Sequence, residues 1–184
     1  MKNLYYLFIL ILIGCNSANH SHENHQNSNS LSTGSLSPHT QAMAMINGAH
    51  IHIDYSSPSV RNRIIFGGLL AFDEVWQSGA HNATWIETDY DLLIEGKKLE
   101  KGKYGFFTIP SKEEWTVIFN SNWEQHGKDE YDDKDDVLRF SVKPEELEKS
   151  VESLRYEVKE KGENEGLISL SWEKTRILFH FKVQ

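Results

Sequence analysis

Alternation of apolar and polar residues most narrows what this chain can fold into. In "VLRFSVK", Leu138, Phe140 and Val142 fall on one face and Arg139, Ser141 and Lys143 on the other. "SLRYEVKE" sets Leu154, Tyr156 and Val158 against Arg155, Glu157 and Lys159. "LISLSW" aligns Ile168, Leu170 and Trp172, and "RILFHFKV" aligns Ile177, Phe179, Phe181 and Val183, leaving His180 and Lys182 outside. Successive side chains of a strand point to opposite faces, so a period of two marks a sheet with one wet face. "KYGFFTIP" and "EWTVIFN" are denser in apolar residues and predict central strands. Turn signals punctuate the pattern at Glu95-Gly96-Lys97, Lys101-Gly102, Pro110-Ser111 and Glu163-Asn164-Glu165-Gly166. Helix candidates are short: "KPEELEKSV", residues 143–151, and a turn near Trp123–Gly127. The chain reads as all-β, a single antiparallel β-sandwich or jelly-roll-like domain.

The N-terminus has a different character. "MKNLYYLFILILIGC" carries one Lys, an apolar run from Leu4 to Ile13, then Gly14-Cys15. The run is too short for a permanent bilayer span, and a charge followed by an apolar core is the layout of a secretory signal. "LIGC" resembles the lipobox of bacterial lipoproteins, which implies a signal peptide over residues 1–14 and a lipidated Cys15. With that thiol acylated, the mature chain has no disulfide and its stability must come from core burial. Residues 16–45 are rich in Ser, Asn and His and poor in large apolar groups. Together with Cys15 they read as a flexible tether over 15–45, with a coil reach of roughly 30 Å. The tether carries His20, His22, His25 and His39. The β domain is expected over 46–184.

Charge excludes two partner classes. The chain has 19 basic and 27 acidic side chains, net −8, and loss of Lys2 with the signal makes it −9. Such a field repels nucleic acid and anionic head groups, so membrane attachment would rest on acyl chains. Asn16, which follows the Cys, is not the Asp associated with inner-membrane retention in some Gram-negative bacteria. The expected location is therefore the cell envelope, at the outer membrane.

Five histidines fall in the predicted domain: His50, His52, His81, His126 and His180. In "GAHIHIDYSSPSVRNR", Ile51, Ile53 and Tyr55 form one face of a strand and His50, His52 and Asp54 the other. Residues two apart sit roughly 6.5–7 Å apart along one face, a spacing from which two imidazoles can converge on one ion. His81 in "WQSGAHNATW" and His126 in "NWEQHGKDEY" each sit in a loop flanked by aromatics and Gly. Loops that end strands are where sandwich folds carry sites. If His50, His52, His81 and His126 meet, neutral imidazoles with an open position would suit Zn²⁺, Cu²⁺ or Fe²⁺, with Asp54 or Glu124 orienting a ligand or acting as base. The competing reading is a wet histidine pair and two ordinary loop residues, with His180 on the surface.

Other candidates weigh toward structure. "KDEYDDKDD", residues 128–136, lacks the spacing and closing Glu of a calcium loop and reads as a solvated acidic loop. Arg61 and Arg63 could clamp an anion in bidentate fashion, but pairing with the domain's many carboxylates is the expected role. Trp76, Trp85, Trp115 and Trp123 offer stacking surfaces for sugars, against the commoner fate of large aromatics in a core. Nucleophile elbows, phosphate-binding Gly loops and Cys/His dyads are absent from the sequence.

The order of motifs resembles a known family. "DYSSPSVRNR", "IFGGLLAFDEVWQSGAHNAT", "IEGKKLEKGKYGFFTIPSKEEWTVIFN", "DDVLRFSVKP" and "SLSWEKTRILFHFKV" together are similar to domain of unknown function 2911 from about Ala49 to the end. The resemblance implies an exported bacterial protein, in many members a lipoprotein, with one β-rich domain at the envelope and no established reaction. In the family's common pattern "WQSGAHNAT" reads Trp-Arg-Thr-Gly-Ala-Asn-Glu-Ala-Thr, so Gln77, Ser78, His81 and Asn82 are departures, and an aromatic is commoner at His126. Two functions are expected to compete: an anchored protein binding a transition metal through the histidines, and a non-enzymatic module binding a glycan, peptide or protein without metal.

Overall fold

Ten strands and one short 3-10 turn make up the ordered framework of the computed structural model, which describes residues 35–184. The strands are β1 (His39–Ile46), β2 (Ala49–Ser56), β3 (Trp85–Thr88), β4 (Leu92–Ile94), β5 (Lys97–Leu99), β6 (Gly102–Ile109), β7 (Trp115–Asn120), β8 (Asp136–Val142), β9 (Glu145–Gly162) and β10 (Glu165–Val183). They form two antiparallel sheets, a six-stranded one in the order β1-β2-β3-β6-β7-β8 and a four-stranded one in the order β5-β4-β10-β9. The sheets pack as a sandwich, so the expected fold class holds.

The period-two pattern explains which residues meet between the sheets. Ile51, Ile53, Phe106, Val117, Phe119 and Phe140 come from one sheet; Tyr156, Leu170, Trp172, Phe179 and Phe181 come from the other, all in one buried cluster. His180 and Lys182 lie outside, as the alternation requires. Each Phe or Leu so buried contributes about 1.5–3 kcal/mol relative to exposure. The denser runs are central: β6 and β7 lie inside the larger sheet. Their second faces are also covered, because Phe107 and Ile118 form a small cluster with Ala83, flanked by Val75, Ile109 and Tyr131.

Three expectations are corrected. "KPEELEKSV" is not a helix; its residues from Glu145 on open the 18-residue strand β9. A nine-residue segment cannot sustain a helix alone, whereas β10 offers it a partner. Pairing joins Arg176 to Glu145 and Thr175 to Glu146, and the Arg176 guanidinium donates to the Glu145 carboxylate through Nε at 2.8 Å. The boundary at residue 46 also moves. Strand β1 begins at His39, within the stretch read as tether, and pairs along its whole length with β2. Thr40, Ala42, Ala44 and Ile46 face inward while Gln41, Met43 and Met45 stay exposed, a real alternation muted by small residues. Trp123–Gly127 holds no helix either; it is a loop with Gly127 at φ 61°.

Candidate functional site

Two loops build a cleft against the wet face of the larger sheet. The first, before β3, contains His81, Asn82 and Ala83; the second, after β7, contains Trp123, Glu124, Gln125 and His126. They are stitched together: Asn82 and His126 form an isolated bridge, and Ala83 N donates to Gln125 O at 3.0 Å. Below them β2 and β3 run antiparallel, placing Asp54 beside Trp85. His39, Asp54, His81, Asn82, Trp85, Trp123, Glu124, Gln125, His126 and Glu130 line the resulting cleft of about 410 Å³.

Sheet register sets its aromatic wall. Trp85 pairs with Gly105, which has no side chain. A Cβ there would lie 3.0 Å from Asn122 O and 3.3 Å from Trp123 Cα, so the second loop descends onto the strand only because the position is glycine. Trp123 thus meets Trp85 edge to face, ring centroids 6.4 Å apart. The Lys103 ammonium lies 3.5 Å and 3.7 Å from the two centroids and holds the pair by cation–π attraction. Both rings remain partly exposed.

The second loop is fixed from beneath. Asn120, fully buried, donates to Asp132 O at 3.0 Å and to Asp136 Oδ1 at 2.8 Å. Asp136 also accepts from the Tyr131 hydroxyl at 2.9 Å and pairs with Arg139 at 3.1 Å. Burial, then the Asp136 carboxylate, push the Tyr131 phenol far above its ordinary value, so it stays a neutral donor. The acidic run is therefore more than a solvated loop: its last carboxylate is an anchor. Gln125 Nε2 donates to Asn122 O at 2.7 Å, which fixes the amide; its buried Oε1 has no partner among the described residues.

The histidines separate. His50 and His52 share the outer face of β2, ring centroids 5.8 Å apart. His52 stacks edge-on to Trp85 at 4.9 Å and its Nε2 contacts Gln41 Oε1 at 3.0 Å. Neither lines the cleft, while His81 and His126 both do. Asp54 does hold an imidazole, but that of His39, at 2.8 Å. His126 Nδ1 sits 3.2 Å from Asp129 Oδ2, and Glu124 is an exposed cleft residue. Among the described residues no three His, Cys, Asp or Glu side chains are arranged to hold a metal ion. Of the four histidines expected to meet, His81 and His126 line the cleft, while His50 and His52 lie side by side on the outer face of β2, where His52 reaches Gln41 of β1 and Trp85 of β3. Trp76 and Trp115 are core; only Trp85 and Trp123 reach the cleft. His39 escaped the sequence reading because it lay in the supposed tether. Cys15, His20, His22 and His25 lie outside the described residues.

Residues 37–181 match the family described as "Protein of unknown function (DUF2911)", and the chain belongs to that family. No curated protein and no solved structure matches the chain.

Proposed function

We propose, from membership of that family and from the cleft, that this chain is a lipid-anchored envelope protein whose domain binds a polyhydroxylated ligand, a glycan, without catalysing its conversion. The observation that carries the reading is the pair of partly exposed indoles that meet in the wall of one polar cleft. Trp85 and Trp123 each have the Lys103 ammonium over the ring and keep part of the indole exposed in the cleft, and Gln125 Oε1 has no partner among the described residues. Asp54, Glu124, Glu130 and Asn82 surround them with further acceptors and an amide. Sugars present apolar C–H faces and outward hydroxyls, and this wall answers both. A metal ion is not needed for such binding.

The test is a glycan array probed with the full-length chain in detergent. Trp123→Ala removes one stacking surface and lowers affinity about tenfold, the scale of an aromatic contact of about 1–1.5 kcal/mol. Absence of any bound glycan, or full retention by Trp123→Ala, refutes the reading. For the anchor, Cys15→Ser should move the protein from the membrane to the soluble fraction; unchanged fractionation removes lipidation.

A further inference from the structure

We propose that a second cavity, of about 460 Å³ and lined by Arg61, Arg63, Trp76, Gln77, His81 and Trp172 among others, binds an organic carboxylate with an apolar body. The first support is what the two arginines lack. The chain has five arginines, and carboxylates outnumber basic groups. Arg139, Arg155 and Arg176 each pair with one: Asp136, Glu157 and Glu145. Arg61 and Arg63 form no ion pair among the described residues. Their expected structural role as carboxylate partners is therefore not what the fold uses.

Instead, backbone carbonyls position both guanidinium groups. Arg63 donates from Nε to Val60 O at 3.0 Å and from Nη2 to Ser59 O at 2.6 Å, and Arg61 Nη2 donates to Leu36 O. A guanidinium carries five N–H donors, so several on each have no partner among the described residues. The chain holds Arg61 and Asn62 at φ 49° and 57°, and Ser78 and His81 at 55° and 61°. Non-glycine residues adopt that region at an energetic cost, so the turn that presents the two arginines is one the surrounding structure enforces.

The second support is an orphaned donor. Trp172 forms part of the cavity wall and is 1% exposed, yet its Nε1–H has no partner among the described residues. Trp76, stacked on it with centroids 5.8 Å apart, donates to Gly79 O at 3.0 Å. A buried N–H without an acceptor is rare enough to need an explanation. Glu152 Oε1 accepts from the Arg61 backbone N–H at 2.9 Å, but among the described residues no carboxylate pairs with either guanidinium, and these two cations and one orphaned donor call for an acceptor-rich anion. Leu69, Leu70 and the indoles supply apolar wall for the rest of the molecule. The planar fork of Arg matches a carboxylate in bidentate geometry.

The experiment compares acid and amide on the full-length chain by calorimetry. Probes are phenylacetate, hexanoate and indole-3-acetate, each with its neutral amide. At least one acid should bind saturably, about tenfold or more tighter than its amide, and added salt should weaken it. Arg63→Gln should bring the acid down to the affinity of the amide. Arg61→Asn, in which Asn tolerates the left-handed backbone, should do likewise with an unchanged circular-dichroism spectrum. No saturable binding by any of the three acids, equal affinity for acid and amide, or undiminished acid binding in the folded variants overturns the proposal. If a variant does not fold, the acid–amide comparison on the unsubstituted chain decides alone. Glycan binding at the other cleft is measured separately, so either site can fail without the other.

Discussion

Tyr156→Phe separates two contributions of one hydroxyl. Tyr156 sits on β9 with 3% exposure, and its OH donates to Ser78 O at 2.8 Å. Ser78 belongs to the segment that leads into the cleft loop, so this bond ties the smaller sheet to the site. Ser78 O also accepts from Thr84 Oγ1 at 3.0 Å, so removing the phenol leaves the carbonyl satisfied. The variant should lose only about 1 kcal/mol at neutral pH. Burial, and then the neighbouring Tyr55, push the Tyr156 phenol well above its ordinary value. The sign follows. Below about pH 10 both folded and unfolded states hold the proton, and stability is fully present. Above it the unfolded phenol ionises and the folded one does not, so this residue's share of stability falls by about 1.4 kcal/mol per pH unit. Phe has nothing to ionise. The parent is therefore the more stable protein at neutral pH, and the two stability curves cross between about pH 10.5 and about pH 11. Guanidinium unfolding from about pH 8 to about pH 11.5 reads this directly. Curves that stay parallel across that range would show that the phenol is not protected in the fold, and the reasoning fails.

Three further outcomes are expected. Gly105→Ala places a Cβ 2.8 Å from the Phe107 ring and 3.0 Å from Asn122 O; it should destabilise by about 1–3 kcal/mol and abolish glycan binding, measured by chemical unfolding and on the array. Lys98 lies 2.8 Å from Asp91, and its hydrogen bond, followed by the Lys101 backbone N–H, holds the Asp91 carboxyl below its ordinary range. The stability from this pair is present above the unfolded carboxylate value of about 3.9 and is lost as pH falls through the lower folded value. Lys98→Ala should raise the Asp91 midpoint in an NMR titration, and an unmoved midpoint refutes the assignment. Stoichiometric Zn²⁺ should leave the melting temperature of the full chain within about 1 °C; a rise lost in His52→Ala and His81→Ala would restore the four-histidine site.

The cleft was legible only in part. His81, His126, Asp54 and Glu124 were all singled out from sequence, and all line it. His50 and His52 share a face as their spacing implies, yet spacing within one strand says nothing about which loop arches over that face. Trp85 and Trp123 stood in a group of four indoles, and no local signal told core Trp76 and Trp115 from cleft Trp85 and Trp123. That distinction rests on Gly105 lying opposite Trp85, a cross-strand fact. His39 and Gln125 were missed for the same reason: an edge strand of small residues and a loop amide look like spacer until their partners are known.

What the chain's own order of residues settled is the sandwich. Period-two alternation decides which side chains must leave water, and that is a local property of a pleated strand. What only the folded molecule decided is which residues of separate strands become neighbours. Register, the descent of one loop onto a glycine and the lack of an ion pair to the Arg61 and Arg63 guanidinium groups among the described residues all depend on pairings between residues tens of positions apart, and no short-range pattern encodes them.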